Sequence, residues 1–316
     1  VLLLRRRLVL EGDMPVTELR GDSVDAVFDG AMDAGVRRFQ HRHALNEDGV
    51  VGPATLRELN VPLSTRINQV RVNLERARWV VHELPPTFVV VNVAGAIVYF
   101  VRDGVDIFES RVIVGKPFTT TPVFMAQARY IELNPYWTVP PGIVGEVLAH
   151  VRRDAGYLQR EGMRVVDHAG RTVSPTGIDF ARYSGRSFPW TFRQDPGPRN
   201  PLGRIKIMFP NRHNVYLHDT PSRQLFEREE RLFSHGCIRV EQPVELAALV
   251  LDDPAWDVDR LRAAIATGTT RTVQLRRPVT VLVQYWTAGA DRHGELHLYR
   301  DVYGRDAAVQ AALGAR

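Results

Sequence analysis

The chain has 316 residues, 44% of them hydrophobic and 24% charged, with 24 glycines and 20 prolines. Those values exclude disordered, collagen-like and low-complexity chains and leave two ordinary domains or one large one, at roughly 100–200 residues each. The 41 Lys and Arg against 36 Asp and Glu give a net charge of +5, and only Lys116 and Lys206 are lysines. That balance fits an acidic partner, but no basic run exceeds Arg5-Arg6-Arg7, so it does not point to nucleic acid.

Residues 1–61 read as a small helical domain. Val36, Phe39 and Leu45 recur at roughly helical spacing, Asn46 to Gly49 breaks the helix, and Gly52-Pro53 opens a short one ending near Asn60. The stretch Val36-Arg37-Arg38-Phe39-Gln40, then Asp48-Gly49, Gly52-Pro53 and Thr55-Leu56, resembles the peptidoglycan-binding domain found beside many cell-wall enzymes. A generic three-helix module is the alternative. Residues 62–85 read as a linker helix, capped by Ser64, with Ile67, Val70, Leu74, Ala77 and Val81 on one packing stripe.

From residue 86 to 316 the pattern turns to mixed α and β. Phe88–Asn92 and Ala96–Val101 suggest a hairpin around Ala94-Gly95, with further strands near 107–114, 128–133, 204–209 and 215–218. Between them, residues 143–200 hold a helical pattern at Ile143–Arg153 and then much Gly, Pro, Ser and aromatic content. With nine Arg against five acids from His150 to Asn200, this reads as a loop-rich capping insertion over a site. The C-terminal extension, 252–316, follows a helix from Pro243 to Leu251. It holds a helix capped by Asp257, strands at Thr272–Leu275 and Val279–Trp286, and a strand pair near Gly294–Arg300. The apolar stretch Phe88–Val101, broken by Asn92, falls short of the ~20 residues that span a bilayer. The chain starts at Val1 without Met and is read as a fragment, so the lack of a signal peptide carries no weight.

Chemistry concentrates in Val215-Tyr216-Leu217-His218-Asp219-Thr220-Pro221 and Ser234-His235-Gly236-Cys237-Ile238-Arg239. Cys237 is the sole cysteine, so no intramolecular disulfide can form. A thiol of pKa about 8.5 needs a base to become a nucleophile at neutral pH, and an imidazole can then protonate a leaving amine. His218 closes a predicted strand; His235, two residues before the cysteine, shares its side of an extended backbone. Gly236 lets main chain approach a substrate, and the helix opening at Pro243 points free N–H groups toward the loop as an oxyanion hole. Arg239 offers a fork suited to a carboxylate, or else braces the loop by pairing with Glu241 or Glu245. A zinc site is the competing reading for the Cys and His residues, but it lacks a fourth ligand at suitable spacing.

His218, fifteen intervening residues and then Ser234-His235-Gly236-Cys237 resemble the signature of the L,D-transpeptidase (YkuD-type) catalytic domain. The resemblance extends over roughly 86–300. It takes in Asn134-Pro135-Tyr136-Trp137-Thr138-Val139-Pro140, Arg193 to Gly197, Asn200 to Gly203 and Phe209-Pro210-Asn211, which look like the large periplasmic branch with a capping subdomain and a peptidoglycan-binding domain. Many relatives carry Asn where this chain has Arg239. The fold implied is α+β: a mostly-β catalytic domain with an inserted cap, behind a small all-α domain.

The resemblance further implies a Cys237 thioester, formed by attack on a peptidoglycan tetrapeptide stem between meso-diaminopimelate and terminal D-Ala. A 3→3 cross-link forms when a second stem's amine takes the acyl group. His218 is then general base and acid, and His235, Gly236 and Cys237 shape the nucleophile loop. Trp137, Asn134, Tyr216 and Arg239 bind substrate. No cofactor or metal is implied. Carbapenems acylate such cysteines, and the setting is the periplasmic cell envelope, with a membrane anchor outside this chain left open. L,D-carboxypeptidase, D-amino-acid exchange and lipoprotein-release activities share the fold, and a non-catalytic wall-binding scaffold is the alternative of another class.

Overall fold

The computed structural model describes residues 1–19, 21, 26–291 and 293–314. Helices α1 (Leu2–Leu10), α2 (Gly30–Arg42) and α3 (Pro53–Leu59) pack around Leu8, Met14, Met32, Val36, Phe39 and Leu59. Asp29 caps α2 by accepting the Met32 N–H at 3.0 Å. Buried Gln40 explains the local motif. Its amide donates to Asp48 Oδ1 at 2.9 Å and to the Val50 carbonyl at 3.0 Å, lies 3.3 Å from Thr55 Oγ1, and accepts the Gly49 N–H at 2.9 Å. Gly49 has φ +74°, and a Cβ there would lie 2.0 Å from Asp33 Oδ1. The motif residues thus tie the turn between α2 and α3.

The linker helix α4 (Leu63–Arg78) corrects two expectations. Its N-cap is Pro62 and not Ser64, and it ends at Arg78. The apolar stripe faces solvent, with Ile67 and Leu74 more than half exposed, while Gln69, Val72, Asn73 and Arg76 are buried. The buried face is polar because the C-terminal segment offers polar groups that must be satisfied. Gln69 donates to the carbonyls of Thr287 (2.6 Å) and Tyr299 (2.8 Å). Asn73 donates to Thr287 Oγ1 at 2.7 Å and accepts the Thr287 N–H at 2.9 Å, and Arg76 pairs with Asp306 at 2.6 Å.

β1 (Thr87–Asn92) and β2 (Ile97–Arg102) form the expected hairpin, followed by β3 (Val105–Gly115) and β4 (Phe124–Leu133). The chain then builds the cap: β5 (Trp137–Thr138), α5 (Pro141–Arg153), α6 (Tyr157–Arg160), β6 (Met163–Val166), β7 (Thr172–Val173) and β8 (Thr191–Gln194). It returns through β9 (Ile205–Met208), β10 (Leu217–His218), β11 (Leu232–Ser234) and β12 (Ile238–Val240). Helices α7 (Pro243–Leu251) and α8 (Val258–Ala266) follow, then β13 (Arg271–Gln284), β14 (Ala288–Ala290), β15 (Leu296–Leu298) and α9 (Asp306–Gly314). The main sheet runs β3-β12-β10-β9-β4-β13-β1-β2 and closes on itself through the β2–β3 pair, with β11 added beside β3. Val89, Val91, Val98, Val112, Ile131, Ile207, Leu217, Ile238 and Val281 form its core with Leu246, Val250 and Leu261 of α7 and α8.

The two C-terminal strands expected at 272–275 and 279–286 are one strand, β13, with a register shift between Gln274 and Val279 around Pro278. Beyond α5 the 143–200 insertion is loop-rich, as its composition implies, with short strands β6, β7 and β8 that join β5 outside it. The four form one sheet, β5-β8-β6-β7, and the insertion has its own core of Val144, Val147, Leu148, Val151, Leu158, Val165, Phe188 and Phe192. Among the described residues no helix is long and apolar enough to cross a membrane.

Candidate active site

Strand register assembles the site. Glu132 pairs with Lys206 across β4–β9, Lys206 with His218 across β9–β10, and His218 with Arg239 across β10–β12. Four polar residues from four strands therefore share one level and one face, because successive side chains alternate across a sheet. Their neighbours Ile131, Ile207, Leu217 and Ile238 point the other way, into the core. Cys237 lies just before β12. All five of these polar residues line an open cleft of about 1030 Å³ between the sheet and the cap, with Trp137, Tyr136, Ile143, Glu146, Arg193, Tyr216 and His235.

The Ser234–Cys237 loop is held by its own and neighbouring hydroxyls. Ser234 Oγ donates to the Cys237 carbonyl at 2.5 Å and accepts the Gly236 N–H at 3.0 Å. Thr121 Oγ1 donates to the Gly236 carbonyl at 3.0 Å and accepts the Gly115 N–H at 2.9 Å, while Thr119 Oγ1 donates to the Ser234 carbonyl at 3.1 Å. Tyr303 from the C-terminal extension donates to the Gly115 carbonyl at 2.5 Å. Gly115 has no room for a side chain, since a Cβ would stand 2.1 Å from the Thr119 carbonyl oxygen. Gly236 has φ +113°, a conformation that L side chains rarely adopt.

Cys237 and His218 are both held neutral. Burial pushes the thiol above its ordinary value, opposed by the N–H and phenol of Tyr216 and by the charges of Lys206 and Arg239. Burial, with Arg239 and then Lys206 nearby, pushes His218 down to about 3 against the pull of the Asp219 and Leu202 carbonyls. His218 Nδ1 lies 2.6 Å from the Asp219 carbonyl oxygen. That oxygen can only accept, so the neutral ring carries its proton on Nδ1 and leaves Nε2 as the basic nitrogen. The thiol points its own proton at the Asn214 carbonyl, 3.6 Å away. Tyr216 sits edge-on to His218, with centroids 5.5 Å apart, and under the Lys206 ammonium at 4.4 Å.

Three expectations need correction. Asn134 does not line the cleft: it is fully buried and donates to the carbonyls of Ile265 (3.0 Å) and Thr269 (3.2 Å), bracing β4 against the C-terminal region. His235 lines the same cleft as the thiol, but the backbone between them is not extended, since Gly236 has a positive φ. The His235 Nε2 meets Glu146 Oε1 of the cap at 3.2 Å. The N-terminal turn of α7 is not part of the cleft lining, and the Gln242 N–H at its cap is taken by Ser110 Oγ at 3.1 Å. Among the described residues the Cys237 N–H has no hydrogen-bond partner and is the donor left facing the site.

Arg239 pairs with neither Glu241 nor Glu245. Glu241 is held by Arg111 at 2.6 Å, and Glu245 by Arg262 at 2.7 Å. Burial lowers the Arg239 guanidinium below its ordinary value, opposed only by the neighbouring Cys237. Arg193, stacked 3.9 Å over the Tyr136 ring, also has no carboxylate partner among the described residues, and its Nε is buried without a hydrogen bond. Lys206, Arg193, Ser234 and Glu146 were not singled out from sequence. Lys206 and Glu146 belong through long-range register and the cap, whereas Ser234 and Arg193 lay inside quoted motif passages and carried a local signal.

Residues 86–281 match the family model described as "L,D-transpeptidase catalytic domain", and residues 1–59 match "Putative peptidoglycan binding domain". A Haemophilus influenzae protein named "Putative L,D-transpeptidase" is 32% identical over 259 residues, covering 80% of this chain and 51% of that protein. The chain thus spans about half the length of that relative. The solved L,D-transpeptidase from Stackebrandtia nassauensis is 15% identical, with 92% of this chain and 93% of that one covered at a TM-score of 0.31. L,D-transpeptidase 3 from Mycobacterium tuberculosis, solved with a faropenem-derived adduct, is 14% identical, with 63% and 60% covered and the same TM-score, 0.31. With the cleft built from strands inside the matched segment, and that segment covering more than half of the residues, the chain belongs to the L,D-transpeptidase (YkuD) family.

Proposed function

We propose that the chain is a cysteine-dependent L,D-transpeptidase that joins peptidoglycan stem peptides by 3→3 cross-links. The observation that carries this reading is the shared cleft: the sole cysteine, a neutral histidine with its basic nitrogen free, and two guanidiniums without carboxylate partners. The donor tetrapeptide binds with its carboxylates at Arg239 and Arg193, which suit them by fork geometry, while Trp137 and Tyr216 flank its apolar parts. Because thiol and imidazole rest neutral, the Cys237 proton passes to His218 Nε2 as sulfur attacks the carbonyl between meso-diaminopimelate and D-Ala. The Cys237 N–H stabilises the oxyanion. The C–N bond then breaks, His218 returns its proton to the leaving D-Ala amine, and a thioester remains on Cys237.

Residues 1–61 hold the enzyme to the cell wall in this reading, 62–85 link, and 86–316 do chemistry under the 143–200 cap with the 252–316 extension bracing the loop. No cofactor takes part in these steps. Carbapenems enter as substrate mimics that acylate the same sulfur. Incubation of the chain with a tetrapeptide muropeptide, followed by mass spectrometry of the products, tests the reading. Cross-linked dimer with release of D-Ala is expected. Tripeptide alone assigns a carboxypeptidase, and unchanged substrate with intact sacculus binding assigns a scaffold.

A further inference from the structure

The cleft holds charges of both signs. Arg239 and Lys206 stand on the sheet, and Arg193 on β8, whereas the carboxylates in the lining are Glu132 and Glu146. Glu132 is neutralised by Lys206 at 3.2 Å. Glu146, on cap helix α5, has no Lys or Arg partner among the described residues; its contact is His235 Nε2 at 3.2 Å, and its side chain is 60% exposed. Of the basic residues of its own helix, Arg152 turns to the Phe180 and Tyr183 carbonyls and His150 onto the Tyr157 ring. A carboxylate is therefore presented to the cleft from the cap, tied to a histidine that precedes the nucleophile by two residues.

Acyl transfer brings two substrates of unlike charge to one sulfur. The donor carries carboxylates to the reacting end, and the acceptor carries an alkylammonium. We propose that Glu146, oriented by His235, is the acceptor subsite and binds that ammonium from the cap, across the cleft from Arg239 on the sheet. This rests on the transpeptidase reading above and assigns the acceptor class as a primary amine in preference to water. The ammonium loses one proton through the Glu146–His235 pair to solvent, and the freed nitrogen lone pair attacks the thioester carbonyl. The new C–N bond forms, the C–S bond breaks, and the amine's second proton passes by way of His218 to the departing sulfur. One ammonium and one acyl-enzyme yield one amide, the free thiol and one proton.

The same pair could instead only latch the cap to the nucleophile loop, and the kinetics separate the two roles. The full chain is mixed with a tetrapeptide donor and graded concentrations of a meso-diaminopimelate tripeptide acceptor, and dimer and hydrolysed donor are counted by mass spectrometry. Glu146→Gln should raise the acceptor KM by about tenfold or more, the loss expected of one charge-assisted contact, and shift products from dimer to hydrolysed donor. Glu146→Asp should recover part of the dimer, and Glu146→Lys should abolish it while hydrolysis continues. Dimer and hydrolysis falling by the same factor in Glu146→Gln overturns the subsite in favour of a latch, and an unchanged acceptor KM overturns it outright. A wild-type chain that never forms an acyl-enzyme defeats the transpeptidase reading and the subsite together, whereas an acylating chain that is indifferent to Glu146 defeats only the subsite.

Discussion

Cys237 and His218 line one cleft as thiol and imidazole, not as an ion pair, since burial moves one up and the other down. Alkylation by iodoacetamide should accordingly climb with pH through and beyond the ordinary thiol range. A rate plateau between pH 5 and 8 would instead reveal a resting thiolate–imidazolium pair. The buried histidines also set a stability trend. His218 and His43 both sit at about 3 when folded and titrate near 6.5 when unfolded, so the unfolded chain binds more protons between those values. Their contribution is complete above pH 6.5 and is lost as pH falls toward 3, with a slope of up to one proton for each ring. Comparing the pH dependence of urea midpoints for wild type and His43→Gln should show the slope reduced in the variant, and equal slopes would contradict the account. Arg239 gives a third test. It braces no ion pair, so Arg239→Lys should slow reaction with tetrapeptide stems about 10- to 100-fold while the melting temperature stays near wild type. A parallel fall in melting temperature would return Arg239 to a structural role.

Helix α4 shows why an amphipathic pattern alone misleads. Its sequence stripe of Ile67, Leu74 and Val81 predicts the buried face, yet Gln69, Asn73 and Arg76 are inside. Asn73→Leu strands the Thr287 N–H, at a cost of about 1–3 kcal/mol, and leaves the Thr287 hydroxyl its bond to Asp306 alone, whereas Ile67→Ser should stay within about 0.5 kcal/mol of wild type. Equal urea midpoints for the two variants would contradict the observed orientation. The strands were legible where alternation and turn residues coincide, as in the Ala94-Gly95 hairpin, and so was the helix opening at Pro243. The Cys237–His218 pair was legible too, because a fixed local motif carries both residues. The row Glu132–Lys206–His218–Arg239 was not, since β-register joins residues that stand on four separate strands and no local spacing encodes it. The cap's core was written in the sequence, in Val144, Val147, Leu148 and Val151 at helical spacing and Phe188, Trp190 and Phe192 in alternation. Its glycines, prolines and serines marked the loops between those elements, while the pairing of β5, β8, β6 and β7 is a matter of register that no local signal carried.

The molecule joins a small helical module to a closed sheet through polar contacts rather than an apolar seam. Arg42 pairs with Asp13 at 2.7 Å and also donates to the Leu296 carbonyl at 3.2 Å, and α4 hydrogen-bonds to the C-terminal segment. The C-terminal extension in turn reaches the nucleophile loop, through Tyr303 on Gly115. Tyr303→Phe should therefore reduce acylation several-fold with no contact to substrate lost, and a wild-type acylation rate would contradict that chain of support. All of these contacts converge on one sulfur atom. The most direct measurement is intact-protein mass spectrometry of the full chain quenched during reaction with a tetrapeptide stem, followed by peptide mapping. The account predicts a mass gain equal to the stem less D-Ala, located on Cys237, absent from Cys237→Ala and formed about 100- to 10,000-fold more slowly in His218→Ala. A Cys237→Ala chain that gains the same mass, or releases D-Ala at the wild-type rate, would contradict it.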